Sequence, residues 1–207
     1  PGDILYVPPG FAHDGVAVGD DCMTYSIGFR APSRGDLVSA FADHVLDTLN
    51  EDDRYTDGVL RADAHPGEIS ADALERLHDM VTEPLKDRAS FAAWFAAYVT
   101  APKDDRIDWA PDLAITAGDL QGDNRAPIAF VRNPASRFAF IREDDTALTL
   151  FVDGQSYPCR GPMADVCERV CAETRFALEP EQLANPDVAA LIVDLVNRGC
   201  IALDDPD

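Results

Sequence analysis

The sequence predicts an α+β fold in which the secondary-structure pattern changes twice along the chain. Three observations predict it: short β-rich runs between turns in residues 1–31, apolar residues at helical spacing in 33–100, and mixed strand and helix patterns from residue 127 onward. Residues 101–126 contain several Pro and Gly and the run Lys103-Asp104-Asp105, which predicts a linker. We therefore expect four regions: 1–32, 33–100, 101–126 and 127–207.

The N-terminal stretch PGDILYVPPGFAHDGVAV predicts two strands, 4–7 and 11–18, separated by the rigid turn Pro8-Pro9-Gly10. A third strand is predicted over 23–29. Three strands alone would leave sheet edges and one apolar face open. We therefore expect this chain to be the C-terminal part of a longer protein. Its first residue, Pro1 rather than Met, supports the same expectation.

The region 33–100 predicts three helices. Ser33 is a candidate N-cap with Asp36 three residues later, and apolar residues recur every fourth position from Leu37 to Leu49. Ser70 is a candidate cap for the second helix, and Pro84 is expected to break it. The third helix carries an aromatic stripe, which indicates either core packing or a subunit contact rather than a cofactor site: Phe91, Trp94, Phe95 and Tyr98.

The region 127–207 predicts a winged-helix-like module. A strand over 128–131 precedes a hairpin of 137–142 with 147–152, and a helix is predicted over about 162–174. Asn185-Pro186 opens another helix, which Gly199 closes before a last strand over 200–203. No helix here carries the basic residues of a DNA-reading helix. We interpret the module as a protein-interaction module without direct nucleic-acid binding.

The composition is strongly acidic, with 38 Asp and Glu against 17 Lys and Arg and a formal net charge of −21. Such a surface repels nucleic-acid phosphates and anionic membranes. It is compatible with a basic protein partner and equally with a role in solubility alone.

The five cysteines form no CxxC pair, and Cys167 and Cys171 lie four apart on a predicted helix among apolar residues, which indicates core packing. With no disulfide framework, no export signal and no run near the ~20 apolar residues of a membrane helix, we expect a reducing cytoplasm.

His13 is the candidate metal ligand. On a strand, its side chain would share a face with Phe11 and Gly15, and the preceding turn would set its direction. A lone histidine is also compatible with a core residue that binds nothing.

The stretch GDILYVPPGFAHDG, followed by YSIGFRAP, resembles the C-terminal barrel strands of JmjC-type cupin oxygenases, and more narrowly the bacterial ribosomal oxygenase group. The resemblance implies C-terminal strands of a cupin or jelly-roll barrel over 1–32, a helical dimerisation region over 33–100, and a winged-helix-like C-terminal domain. For residues 1–32 the resemblance rests on a specific sequence motif. Beyond them it rests only on the order of the predicted helices and strands.

The resemblance also implies function. His13 would be the distal ligand of a 2-His-1-carboxylate iron site, with Fe(II) as cofactor and 2-oxoglutarate as co-substrate. Either Tyr25 or Ser26 would line the 2-oxoglutarate or substrate pocket, since alternation lets only one of them face inward. Arg30 would contact substrate or, the interpretation we favour, pair with a carboxylate. The implied reaction is hydroxylation of an arginine in a basic large-subunit ribosomal protein, number sixteen in the bacterial series, by a homodimer.

The sequence departs from the family pattern in one respect. No histidine has Asp or Glu two positions later, so the H-x-[DE] motif that carries the other ligands is missing here. We expect this chain to be inactive by itself. Two alternatives stay open: a non-catalytic cupin or an isomerase on the same barrel, and a dimeric protein-interaction module that works through its helices and C-terminal region.

Overall fold

We describe the fold from a computed structural model of the chain, which describes residues 4–8, 10–28, 31–56, 65, 67–103, 108–121 and 126–204. Its elements are, in chain order, α1 (Arg34–Thr48), α2 (Ala71–Thr82), α3 (Arg88–Thr100), α4 (Ala117–Gln121), β1 (Ile128–Arg132), β2 (Phe138–Arg142), β3 (Ala147–Val152), β4 (Gln155–Arg160), α5 (Pro162–Ala172), β5 (Arg175–Leu178), α6 (Pro180–Leu183), α7 (Pro186–Asn197) and β6 (Ile201–Leu203).

The N-terminal segment has turns at the predicted positions but no strands. Gly10 and Gly19 adopt positive φ angles of 85° and 99°, and the Phe11 N–H donates to the Pro8 carbonyl. None of the described residues in 4–28 is in a β-strand, and the apolar side chains of this segment are exposed, as Ile4 at 97% illustrates. This corrects the prediction of strands over 4–7, 11–18 and 23–29. A strand exists only through hydrogen bonds to a neighbouring strand, and no other described part of the chain pairs with this segment.

The first two helices of the second region begin at the predicted caps, and Pro84 lies after α2 as predicted. Ser33 and Asp36 form a capping box at α1, and the Ser70 side chain accepts from the Ala73 N–H at α2. Pro84 follows the end of α2 and starts a short 3-10 turn, Pro84–Lys86. The Asp87 side chain then caps α3 by accepting from the Ala89 N–H. Each cap satisfies backbone N–H groups that have no partner within the helix.

Helices α1 and α3 pack through aromatic side chains. Phe41 of α1 is buried, and its ring centroid lies 5.0 Å from those of both Phe91 and Trp94 on α3. Tyr98 stacks on Trp94 at 5.2 Å. The predicted aromatic stripe therefore lies partly in the contact between α1 and α3. It also stays partly open, since Phe91 and Tyr98 are 37% and 41% exposed.

The third region contains two antiparallel three-stranded sheets. One has the order β5-β1-β6, with Phe130 opposite Phe176, and the other has the order β2-β3-β4, with Phe140 opposite Leu150. Helices α5 and α7 pack with these sheets around one core of buried side chains, in which Phe130, Leu150, Val166, Ile192 and Leu195 have no exposed surface. The predicted hairpin, both predicted helices and the last strand are confirmed.

The structure adds elements that the sequence patterns did not indicate: β4, β5, the short α6, and α4 inside the predicted linker 101–126. β4 has the sequence QSYPCR, and its Pro158 lacks the N–H that strands usually use in pairing. This strand exists because β3 pairs with it over its whole length. In the described part of the chain, no helix has both the length and the apolar character required to cross a lipid bilayer.

Candidate functional site

His13, the candidate iron ligand, lies in the N-terminal segment just after the turn at Gly10. Its side chain is exposed, and the ring Nδ1 lies 3.4 Å from the carbonyl oxygen of Phe11 two residues earlier. This contact joins two residues that are close in sequence, and its distance is longer than that of most hydrogen bonds. The imidazole is therefore open to solvent and is not held by a partner from another part of the chain that the structure describes.

Tyr25 and Ser26, the candidate pocket residues, are also exposed, Tyr25 at 85%. In the residues that the structure describes, no hydrogen bond joins either of them to His13. The structure does not bring these three side chains together, and the segment is not a strand that would turn one of the pair inward. Which of them faces a pocket stays a prediction. Arg30 lies outside the described residues.

The iron site implied by the family resemblance needs three protein ligands on one face. Over the described ranges, no three His, Cys, Asp or Glu side chains lie close enough together to hold a metal ion. Asp14 follows His13 directly, a spacing that does not match the H-x-[DE] pattern. The described residues therefore supply one candidate ligand and do not form a complete iron site.

A second candidate surface lies on the first two helices. Val38 and Leu46 of α1 are each 63% exposed, and Leu74 and Val81 of α2 are 54% and 66% exposed. In addition, Leu77 and Leu85 are partly open. We call Val38, Leu46, Leu74 and Val81 the open helical face. Exposed apolar side chains that lie together on one surface are typical of a site that another protein covers, which makes these residues candidates for a protein contact.

The sequence patterns gave no indication of a groove beside α7. It has a volume of about 610 Å³ and lies between α4 and α7, where it is lined by small apolar side chains and three polar ones: Ala117, Gln121, Pro186, Ala189, Ala190, Val193, Asp194 and Asn197. Two of the polar side chains are already bonded, since Gln121 donates to the Leu183 carbonyl and Asn197 bonds both backbone groups of Ile115. These bonds attach α4 and the preceding segment to α6 and α7.

Asp194, which lines this groove, belongs to a polar cluster that connects α7 with β4. The Tyr157 hydroxyl donates to an Asp194 carboxylate oxygen at 2.6 Å, and Arg198 donates to the same hydroxyl. Burial, and then the hydrogen bond to Asp194, raise the pKa of Tyr157 above its ordinary value. The phenol therefore stays protonated and acts as a donor, so the cluster stabilises the packing of α7 on the second sheet.

The charge of α7 bears on nucleic-acid binding. The helix PDVAALIVDLVN contains two aspartates and no Lys or Arg, and Arg198 at its C-cap is bonded to Tyr157. Helices that read DNA approach the major groove with basic and amide side chains. The surface of α7 lacks the positive charge, and most of the side-chain donors, that such helices use.

Comparison with known families gives two matches, one at the N-terminal segment and one over the later helices and the two sheets. A model described as "JmjC domain" matches residues 1–37, and a model described as "ROXA-like winged helix" matches residues 75–202. The first match covers His13, Tyr25 and Ser26. The second covers α3, both sheets and α5–α7.

Two individual relatives match most of the chain. The ribosomal protein uL16 3-hydroxylase of Escherichia coli (strain K12) is 29% identical over 199 residues, which is 96% of this chain and 52% of the relative. A probable ribosomal oxygenase of Haemophilus influenzae is 27% identical over 158 residues, 67% of this chain and 38% of the relative.

A solved structure of the E. coli ribosomal oxygenase YcfD in complex with cobalt and 2-oxoglutarate superposes with a TM-score of 0.66 at 22% identity, and covers 86% of this chain and 48% of that chain. This likeness supports the fold. The chain spans about half the length of these relatives, or less. Because the winged-helix model matches more than half of the chain, the chain belongs to the family of proteins with a ROXA-like winged helix.

Proposed function

We propose that this chain is part of an Fe(II)- and 2-oxoglutarate-dependent oxygenase that hydroxylates an arginine side chain of a ribosomal protein, the large-subunit protein number sixteen in the bacterial series. The observation that carries the proposal is the order of the two family matches: a JmjC segment with His13 is followed by a winged-helix module in one chain. The similarity to a uL16 3-hydroxylase over 96% of the chain supports the choice of client.

In this proposal His13 is one iron ligand, and the other protein ligands come from outside the described residues. A single exposed imidazole does not retain iron, because the stability of such sites comes from several ligands held in place together. We therefore propose that the chain by itself is inactive. Tyr25, Ser26 and Arg30 are proposed to lie near the 2-oxoglutarate or substrate pocket of the complete protein.

The proposed client is a basic protein, and the charge of −21 supports this choice. Opposite charges speed the encounter of two proteins and orient them before close contacts form. We propose that the winged-helix module takes part in protein contacts rather than nucleic-acid binding, since α7 carries no Lys or Arg. A cytoplasmic location follows from the proposed ribosomal client.

We also propose that the chain forms a homodimer through the open helical face. Its four side chains are more than half exposed, and α2, which carries two of them, has no buried residue. Burying them against a second copy would remove apolar surface from water at a gain of about 25 cal/mol per Å².

The oxygenase proposal is tested with the full-length protein, Fe(II), 2-oxoglutarate and a peptide of the ribosomal protein. The expected result is a gain of one oxygen atom on an arginine, together with succinate formation. The variant His13→Ala should lose both signals. The matched control is His78→Ala, because the His78 side chain is 68% exposed and lies on α2, far in sequence from the motif.

Two outcomes would contradict parts of the proposal. Full activity of the His13→Ala protein would remove His13 from the metal site. Turnover by the chain alone would show that it is not inactive by itself. Equilibrium dialysis with Fe(II) gives an independent readout, in which the chain alone should bind no more iron than its His13→Ala variant.

A dimeric protein-interaction module is the second candidate function, and the lack of a three-ligand cluster in the described residues favours it for the chain by itself. Analytical ultracentrifugation of the double variant Val38→Glu, Leu46→Glu tests the dimer. We expect a monomer, whereas Ser39→Glu, an exposed change on the same helix, should stay dimeric. An unchanged mass for the double variant would place the contact elsewhere.

A further inference from the structure

Two buried thiols of the winged-helix module face each other where β4 is followed by α5. The Sγ atoms of Cys159 on β4 and Cys167 on α5 lie 3.1 Å apart, and the residues are 1% and 0% exposed. Both are free cysteines. Because a disulfide bond is about 2.0 Å long, the two sulfur atoms need to approach each other by only about 1 Å.

The surrounding backbone holds this pair in place. Cys159 lies opposite Leu148 in the register of β3 with β4, so the sheet sets its position. Cys167 lies in the second turn of α5, which follows the turn at Gly161, where φ is 54°. The two residues are eight positions apart, and a bond between them would close a short loop around this turn.

The two thiols are chemically unequal. Cys167 donates its S–H to the sulfur of Cys159, and the Cys159 thiol can donate to the Tyr157 carbonyl oxygen at 3.1 Å. The hydrogen bond from Cys167 lowers the pKa of Cys159, whereas the same bond and burial raise the pKa of Cys167. Because a hydrogen-bond donor stabilises a thiolate and Cys167 donates to the Cys159 sulfur at 3.1 Å, we assign Cys159 as the nucleophile of the pair and Cys167 as the resolving thiol.

The other cysteines have different surroundings. Cys22 is exposed, and Cys200 has its sulfur 3.4 Å from an Asp153 carboxylate oxygen. Within the described ranges, no other two cysteine sulfurs are in hydrogen-bonding contact. The geometry for an intramolecular bond is therefore specific to Cys159 and Cys167.

We propose that Cys159 and Cys167 are a reversible redox dithiol, which a peroxide converts to a disulfide that joins β4 covalently to α5. The Cys159 thiol loses its proton, its thiolate attacks one peroxide oxygen and the O–O bond breaks. The departing hydroxide takes up that proton, so a sulfenic acid and one water are formed. The Cys167 thiol then attacks the sulfenic sulfur, and its proton leaves with the departing hydroxyl as a second water. Each molecule of hydrogen peroxide is reduced to two waters while the two thiols lose two electrons and two protons.

Burial determines how fast this reaction proceeds. A peroxide reaches Cys159 only when α5 opens locally from the sheet, because the pair is covered in the folded protein. Oxidation should therefore be slower than at the exposed Cys22 and should speed up in urea concentrations well below the unfolding midpoint.

The test uses the wild-type chain, which needs no substitution. The chain is incubated with hydrogen peroxide, alkylated in denaturant, digested and mapped by mass spectrometry. We expect a peptide pair linked through Cys159 and Cys167, two fewer alkylated thiols at these positions, and recovery of both with dithiothreitol. The melting temperature of the oxidised form should rise by about 5 °C, because the bond restricts the unfolded chain.

Variants in a Cys22→Ser background, which removes the exposed thiol, give the matched comparison. In Cys159→Ser and in Cys167→Ser, no disulfide should form on oxidation. In Cys171→Ser, which changes another cysteine of α5, the disulfide between Cys159 and Cys167 should still form. The proposal is overturned if both cysteines of the wild-type chain are still alkylated after prolonged exposure to peroxide in urea below the unfolding midpoint, where the pair should react. It is also overturned if the linked peptides contain a different pair.

Discussion

The side-chain oxygen of Thr100, at the end of α3, accepts a hydrogen bond of 3.2 Å from the backbone N–H of Gly154 in the turn between β3 and β4. In the same place, the Arg137 guanidinium donates to the carbonyl of Val99 at 3.1 Å. The last turn of α3 is thus bonded directly to the second sheet. The helical region contacts the winged-helix module through α3 as well as through the segment predicted as a linker.

Replacing Thr100 with Val should destabilise the protein by about 1–2 kcal/mol, because it leaves the half-buried Gly154 N–H without its partner. Urea unfolding measures the free energy, and hydrogen exchange should show faster exchange of the Gly154 amide. The control is Thr48→Val at the end of α1, whose hydroxyl bonds only the Val45 carbonyl. Its effect should be within about 0.5 kcal/mol. Equal losses in the two variants would contradict the role of the Thr100 bond.

Gly199→Ala should be severely destabilising. Gly199 has a φ of 68°, and an added Cβ would lie 2.5 Å from the backbone nitrogen of Ala110. Strain and a backbone clash together predict a loss of about 3 kcal/mol or more in the free energy of unfolding. Gly35→Ala in α1 is the control, since its Cβ would meet only Ser33 Oγ at 3.7 Å. That change should be neutral or stabilising by up to about 1 kcal/mol. A mild effect at position 199 would show that the segment around Ala110 packs elsewhere.

Phe41→Ala should loosen the contact of α1 with α3. The ring is 6% exposed and packs between Phe91 and Trp94, so we expect a loss of about 3 kcal/mol. Tryptophan fluorescence should report the unfolding of this contact through Trp94. Ser39→Ala at an exposed position of α1 serves for comparison and should change stability by less than about 0.5 kcal/mol. If Phe41→Ala leaves both stability and fluorescence unchanged, α1 does not pack on α3 in solution.

Alkaline pH should destabilise the winged-helix module. Burial, and then the Asp153 carboxylate, raise the pKa of Cys200 from 9.0 to about 12, and burial raises that of Cys171 to about 11. Between pH 9 and these values the unfolded thiols lose protons that the folded ones keep. The unfolded state binds fewer protons there, so stability falls as pH rises from 9 towards 12.

Urea unfolding at several pH values measures this slope. Cys200→Ala should reduce it, whatever its effect on stability at neutral pH, whereas Cys22→Ala at an exposed position should leave it unchanged. A free energy of unfolding that stays constant from pH 9 to pH 12 in the wild-type chain would contradict the prediction.

Local signals in the sequence predicted many of the elements correctly. Ser33 with Asp36, Ser70 and Asn185-Pro186 start helices where expected, and Gly199 ends α7 with the predicted left-handed conformation. These features depend on side chains within about four residues of the backbone groups that they satisfy, so they can be recognised without knowing the rest of the fold.

By itself, then, the sequence determined the caps, the turns, the order of helices in the middle region and the motif around His13. Only the tertiary structure decided which strands pair and which side chains lie close together. Residues 4–28 have strand-like composition but form no strand in their described part, whereas β4, with a proline and mostly polar side chains, is a strand because β3 pairs with it. The contacts between Thr100 and Gly154 and between Cys159 and Cys167 arise in the same way. Hydrogen bonds and contacts between separate elements depend on where those elements meet in the fold, which the pattern within each element does not specify.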